Sequence, residues 1–307
     1  MIVTWQVHAI LIFGIFAVGT VVGSFLNVCI YRIPWEKSVV WPASRCPRCL
    51  RPIAPQDNIP VVSWLALRGE CRQCGLPISA RYPLIEALVG LLFAGVYVTD
   101  VVYGSVIPWG ALPAAIPVRV VYHTVLVALL VTSTFIDYDF YLIPDSITVT
   151  GMVVGVGVGT LFPEIRLNPS AASTHWEGLV VGVTGWLVGG GLTLFVRVVG
   201  SAVARKDAMG IGDVTLMAMI GAFLGWQAAV LTFFIGPFFG LGHALTKLVV
   251  LLGKMLAGRQ RSTADHEMPF GPYLSMAALA LLLSWPWFWP GWAKNVFASV
   301  YMLFSTW

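Results

Sequence analysis

Charged side chains are scarce in this chain. Asp, Glu, Lys and Arg make up 10% of its 307 residues, against about 25% in an ordinary soluble domain. The deficit excludes a globular protein with a solvated surface. Hydrophobic residues reach 58% and mean hydropathy is +0.84, which indicates a polytopic membrane protein. A net charge of +4 is too small to suggest a nucleic-acid partner, and none is expected. No cleavable signal is legible. The first apolar run, residues 7–30, is too long for a signal core and lacks a basic start and a small-residue cleavage site. It should stay as a membrane helix. Metal-ligand spacing is missing among His8, His123, His175, His243 and His266, which read as loop or interfacial residues. No GxGxxG follows a strand in a polar domain. The glycine run 151–159 lies in an apolar segment and reads as helix packing.

What is present is a series of apolar runs. Crossing a bilayer takes roughly 20 residues, and runs of about that length fall at 7–30, 83–103, 119–137, 146–162, 176–199, 213–227, 228–252 and 271–289. The stretch 294–307 is apolar but short and is expected along the interface. Trp285 to Trp292 reads as an aromatic belt at the outer interface. Asn27, polar within the first run, is expected to bond between helices.

Residues 31–82 form the one sizeable polar region, with Arg32, Lys37, Arg45, Arg48, Arg51, Arg68, Arg72 and Arg81 against Glu36, Asp57 and Glu70. The positive-inside rule makes it cytoplasmic and puts the N-terminus outside. Counting spans places 138–145, 200–212 and 253–270 on the cytoplasmic side, where Arg205, Lys206, Lys254, Arg259 and Arg261 agree. Arg166 is the exception among the outer loops. The fold class expected is therefore an all-α polytopic membrane protein of about eight transmembrane helices, with a small cytoplasmic zinc-binding domain between helices 1 and 2. The expected division is 1–30, a first membrane helix; 31–82, the zinc-binding domain; and 83–307, the remaining membrane domain.

The zinc reading rests on Cys46-Pro47-Arg48-Cys49 and Cys71-Arg72-Gln73-Cys74. Two CxxC knuckles at this separation supply four thiolates in a tetrahedron, and four thiolates leave no open position for catalysis. The metal is therefore expected to be structural, stapling a region too small for a large core. Disulfides are disfavoured in a reducing cytoplasm. Cys29 lies apart, within the first helix, as a packing residue.

Two carboxylates stand where an apolar chain should avoid them. Asp213 opens the run after Gly210-Ile211-Gly212, and Asp137 closes the run ending Phe135-Ile136. Such acids are costly near hydrocarbon unless paired, protonated or water-exposed, which makes each a candidate functional residue. On the topology above, both lie at the cytoplasmic ends of their helices. Two that meet could share a proton as the pair of an aspartic peptidase does. Taken singly, Asp213 and Asp145 also suit helix capping. Asp137, Asp139 and Asp145 crowd together, so position alone does not choose among them. Gly210 and Gly212 let another chain approach the backbone closely. Glu86 and Glu267 either stabilise a substrate amine or pair with Arg81 or Lys254.

The ordered set of motifs resembles the type IV prepilin peptidases, GxGD-type intramembrane aspartic peptidases. It comprises Gly23-Ser24-Phe25-Leu26-Asn27-Val28, Tyr31-Arg32-Ile33-Pro34, the two CxxC knuckles, Arg81-Tyr82-Pro83 with Glu86, Asp137 with Ile143-Pro144-Asp145, Gly210-Ile211-Gly212-Asp213, and Pro269-Phe270-Gly271-Pro272. The resemblance implies that Asp137 and Asp213 are the catalytic pair. It implies prepilin or pseudopilin substrates, cut at the cytoplasmic face of the bacterial inner membrane, commonly just after a glycine. Many members then methylate the new N-terminus with S-adenosylmethionine, a cofactor for which the chain displays no motif. The family often has Lys two residues after its GxGD aspartate, where this chain has Thr215. Two other classes compete: an ion- or proton-coupled transporter using the intramembrane acids, and a zinc-dependent membrane scaffold. The first predicts inverted repeats and mid-membrane acids. The second leaves the GxGD and Pro-Phe-Gly-Pro segments without a role.

Overall fold

The computed structural model describes residues 5–103, 115–167, 174–205, 209–256, 269–297 and 299. Among these residues every long element is helical, and two isolated bridges, Arg45 with Pro52 and Glu70 with Pro77, are the only extended pairings. The helices are α1 (Trp5–Arg32), α2 (Val62–Ala66), α3 (Arg81–Tyr97), α4 (Ile116–Phe140), α5 (Asp145–Leu161), α6 (His175–Ala204), α7 (Ile211–Leu224), α8 (Trp226–Leu256) and α9 (Gly271–Phe288). The eight expected apolar runs reappear as α1 and α3 to α9, with ends shifted by a few residues. Among the described residues five segments are long and apolar enough to cross a membrane: Trp5–Trp35, Arg81–Tyr103, Ile116–Phe140, His175–Ala204 and Trp226–Val249. Asp145–Leu161 and Ile211–Leu224 are apolar but shorter. The chain is a multi-pass membrane protein. Lys206, Ala208, Arg259, Arg261, His266 and Glu267, the segment 300–307, and the side chains of Lys254 and Trp292 lie outside the described residues.

Two compact units form, the first running to Ile136 and the second beginning at Asp137. In the first, α1 and α3 meet along a seam of small residues. A Cβ on Gly19 would lie 2.8 Å from Gly90 Cα, and one on Gly23 would lie 2.8 Å from Glu86 Cα. Backbones this close give dispersion contacts that lipid cannot replace. Asn27 donates from Nδ2 to the Tyr82 carbonyl at 3.2 Å, the interhelical bond expected of it, and Cys29 is buried beside it.

Past α3, a wide π turn over Val98–Tyr103 carries Asp100 into the interior. Arg119 Nε donates to Asp100 Oδ1 at 3.0 Å, and His123 Nδ1 lies 2.7 Å from Oδ2. All three are buried. His123 is thus neither loop nor interfacial: Arg119 and His123, four residues apart on one face of α4, hold a buried carboxylate. Glu86 also departs from expectation. Its Oε2 accepts the Val61 N–H at 2.7 Å, where Val61 takes φ 61°, so it secures a strained turn instead of pairing with Arg81. The Arg81 guanidinium lies 5.2 Å from the centre of the Phe135 ring.

In the second unit α7 is the central helix, and every residue from Leu216 to Leu224 is buried. Glycines of α5 and α6 admit it. Gly185 faces Gly221 and Gly189 faces the Met217 carbonyl, too closely for any side chain, and a Cβ on Gly155 would lie 2.8 Å from the Phe223 ring. Gly151, Gly155 and Gly159 of the α5 run are buried packing positions, as the apolar setting suggested, while Gly157 is exposed. Gly225, at φ 87°, ends α7 and turns the chain directly into α8.

Arg166 is 1% exposed, unlike the outer-loop cation expected. Its Nη1 donates to the carbonyls of Ala222 at 2.9 Å and Phe223 at 3.4 Å, and Nη2 donates to Gly178 O at 3.0 Å. The last carbonyls of a helix have no partner within it and carry its negative end. A guanidinium there satisfies both demands. Room for it comes from Gly159 and Gly182, where a Cβ would sit 2.5 Å from Nη2. Trp285 is likewise core and not belt: it is 1% exposed and stacks on Trp289 at 4.9 Å, whereas Trp287 is exposed.

Arg166→Met should therefore destabilise the second unit by about 2–4 kcal/mol, because buried carbonyls lose their donors. Denaturant titration in detergent measures it; a loss below about 1 kcal/mol would mean that the carbonyls find other partners.

Candidate active site

The end of α4 sets the first carboxylate. Tyr141 takes φ 54°, and its N–H donates to the Asp137 carbonyl at 2.9 Å, closing the helix. Pro144 then stands at the N-cap of α5. Between these two breaks Ile143 is turned inward, 6% exposed. Asp137 is buried, whereas Asp139 and Asp145 are exposed. Burial thus separates three acids that sequence position could not.

The second carboxylate sits in the first turn of α7. Gly210 is the N-cap, and its N–H donates to Asp213 Oδ2 at 3.2 Å. Asp213 therefore does cap its helix. Asp137 receives its own donor from elsewhere: the N–H of Gly271, first residue of α9, reaches Asp137 Oδ2 at 3.1 Å. Each buried carboxylate thus takes an N–H from the start of a helix, where free donors and the positive end of the helix dipole coincide. The two acids are also near enough for their charges to act on each other.

Ile143 wedges these elements together. A Cβ on Gly212 would meet Ile143 Cβ at 2.9 Å. One on Gly271 would meet Asp137 Oδ2 at 2.6 Å and Ile143 Cδ1 at 2.9 Å. Gly212 thus makes room for the chain's own Ile143, and Gly210 supplies a donor. Thr215 turns its hydroxyl back to the Gly212 carbonyl at 3.0 Å and brings no charge to the site. Arg197, on α6, donates from Nη1 to the Met209 carbonyl at 2.8 Å, and its charge acts on Asp213. Of the other expected residues, Glu86 belongs to the first unit, and Glu267 lies outside the described residues. Sequence reasoning missed Arg197, and it held Ile143 and Gly271 only as members of motifs, without the wedge and donor roles that the structure gives them. Proline just inside a helix start, as in Gly271-Pro272, marks a turn of unbonded donors.

The cysteines converge in the first unit. The Sγ atoms of Cys46, Cys49, Cys71 and Cys74 lie within 4.8 Å of one another, and none is in a disulfide. Cys46 and Cys74 Sγ are 3.7 Å apart; tetrahedral thiolates about 2.3 Å from zinc would be about 3.8 Å apart. The two knuckles repeat one geometry. Leu50 N–H donates to Cys46 O at 3.0 Å and Gly75 N–H to Cys71 O at 2.9 Å, with φ of 59° and 64° at Leu50 and Gly75. Hydrogen bonds from the backbone of Cys49 and Arg48 pull the Cys46 thiol down to about 6. Cys74 is pushed up to about 11: a hydrogen bond from the Leu76 backbone opposes this, but burial and proton sharing with Cys46, Cys71 and Cys49 outweigh it. The four cysteines form a cluster that could hold a metal ion.

An all-helical multi-pass membrane protein, with two buried carboxylates at helix starts in one unit and a four-cysteine cluster in the other, defines the class. Residues 17–99 match the bacterial peptidase A24 N-terminal domain, and 124–245 match the type IV leader peptidase family. Similar curated proteins are named prepilin leader peptidase/N-methyltransferase. That of Myxococcus xanthus (strain DK1622) is 39% identical over 85% of this chain and 70% of its own length. That of Aeromonas hydrophila is 33% identical over 88% and 89%, and that of Stutzerimonas stutzeri 32% over 94% and 92%. No solved structure matches. The chain belongs to the type IV prepilin leader peptidase/N-methyltransferase family.

The paired knuckles generate a stability prediction. Gly75→Ala meets no atom within 4 Å, so its cost of about 1 kcal/mol is backbone strain alone. Leu50→Gly should relieve a similar strain and stabilise by about 1 kcal/mol. Unfolding of the first unit, followed by thiol accessibility, reads both; equal effects of the same sign would refute the equivalence of the knuckles.

Proposed function

We propose that this chain is a membrane-embedded aspartic endopeptidase that removes the leader from prepilins, with Asp137 and Asp213 as the catalytic pair. The observation that carries the proposal is a pair of buried carboxylates, each held by an N–H at a helix start, set on either side of Ile143 and near enough for their charges to interact. The names of the relatives support the substrate.

Two close carboxylates do not readily both ionise, so one holds a proton. The ionised one takes a proton from water as the oxygen bonds to the scissile carbonyl carbon. The protonated one donates to that carbonyl oxygen. Collapse of the tetrahedral adduct breaks the C–N bond, and the departing amine takes up a proton. Gly210 and Gly271 N–H groups fix which face of each carboxylate points to substrate. A prepilin suits this site because its apolar N-terminal helix can lie among membrane helices while its basic leader stays in water. The excess of Lys and Arg in residues 31–82 supports a cytoplasmic placement of that region, with the N-terminus outside, in the bacterial inner membrane.

The four cysteines suit a structural zinc by number, spacing and absence of disulfides. Zinc would hold the two knuckles together and take no part in cleavage. The relatives' names also carry an N-methyltransferase activity, for which S-adenosylmethionine would supply the methyl group. The α5 glycine run gives that cofactor no cradle, since Gly155 and Gly159 are packed on Phe223 and Arg166.

Cleavage of a prepilin in membranes tests the reading. Asp137→Asn and Asp213→Asn should each lower the rate by about a thousandfold or more, with normal insertion, while Asp139→Asn stays within about threefold. Normal cutting by the Asp213 variant would refute the pair. Cys46→Ser should lower bound zinc, measured by elemental analysis, and reduce activity only in step with folded protein. Lost cleavage at full folded yield would make the metal site functional, not structural.

A further inference from the structure

Arg197 stands in the last two turns of α6, half-buried on the side that faces the turn before α7. Its guanidinium is directed at the turn preceding α7: Nη1 donates to the Met209 carbonyl at 2.8 Å. The next residue, Gly210, donates its N–H to Asp213 Oδ2 at 3.2 Å. One short path therefore runs from guanidinium to peptide to carboxylate. The charge of Arg197 acts on Asp213 as well. Thr215, one turn into α7, is bonded to its own helix and supplies no cation.

From this geometry we infer that Arg197 is a positioning residue of the site, anchoring the Met209-Gly210 turn that holds Asp213 and furnishing a positive charge near that carboxylate. The inference rests on the peptidase reading above. A pair sharing one proton carries a net negative charge, which in a low-dielectric surround acts on every nearby group. A fixed guanidinium offsets that charge without touching the substrate. It is held on a carbonyl and not directly on the carboxylate, so Asp213 keeps its freedom to exchange a proton. Charge and anchoring are both present in Arg and both retained by Lys. Gln offers a donor for Met209 O and carries no charge.

That separation makes the test. Arg197→Gln and Arg197→Lys are compared with wild type for kcat and KM on a prepilin in membranes, alongside Asp213→Asn. Thermal unfolding confirms that each variant is folded. Arg197→Gln should lose about tenfold or more in kcat with KM held within about threefold, because the substrate is not touched. Arg197→Lys should recover kcat to within about threefold of wild type. A purely structural arginine would make Gln and Lys equal, and that result overturns the inference, as does wild-type kcat in Arg197→Gln. Poor folding of the Gln variant leaves the Lys variant decisive: a folded Arg197→Lys with kcat as low as that of the catalytic knockout also overturns it. Should Asp213→Asn cut normally, the peptidase assignment itself has failed. Should it be inactive while Arg197→Gln is unaffected, only the role of Arg197 has failed.

Discussion

The organising constraint in this protein is the solvation of two carboxylates where water is scarce. A buried carboxylate needs donors, and an apolar helix bundle has few to give. The bundle's free donors are the first N–H groups of each helix, and the structure brings Asp137 and Asp213 to such groups at Gly271 and Gly210. The remaining features near the site follow. Glycine is needed at 271 because a methyl there would strike the carboxylate it serves, and at 212 because Ile143 fills that space. Tyr141 and Pro144 break the chain on either side of Ile143 so that the wedge can be presented.

Holding α7 in place is the next requirement. Its buried length carries Asp213 at one end and the Arg166 guanidinium at the other. At about 1.5 Å per residue, 14 residues give roughly 21 Å, less than the roughly 30 Å of a bilayer core. Such a helix is sheltered by neighbours, not by lipid, and the α5 and α6 glycines let those neighbours come close. Arg166 across the last carbonyls and the Asp213 carboxylate at the first turn complement the same dipole from opposite ends. Stability and site geometry are thus two aspects of one helix.

The cysteine cluster belongs to the other unit and obeys separate physics. A segment of about 50 residues with two isolated bridges and one five-residue helix has little core of its own, and a cross-link among four thiols is the economical way to order it. Glu86 adds a second tie by fixing the strained Val61 turn. The buried Asp100, Arg119 and His123 group supports the opposite end of the same unit.

By itself the sequence determined the class of architecture, where the apolar helices fall along the chain and the four-cysteine spacing. Each of these is a local or periodic property: hydrophobic run length, turn chemistry and ligand interval are written along the chain. The ordered motifs also singled out Asp137 and Asp213. Only the tertiary structure decided which acids are buried, since Asp137, Asp139 and Asp145 look alike in one dimension and differ in what packs over them. It turned Arg166 and His123 from a surface cation and an interfacial histidine into interior partners, because carbonyls and a carboxylate distant in sequence came to meet them. It also revealed that the Gly271 donor, the Ile143 wedge and Arg197 come from separate parts of the chain. The contacts of Arg197 with Met209 and of Gly271 with Asp137 join residues 12 and 134 positions apart, and no pattern along a single chain encodes which helix ends will be neighbours.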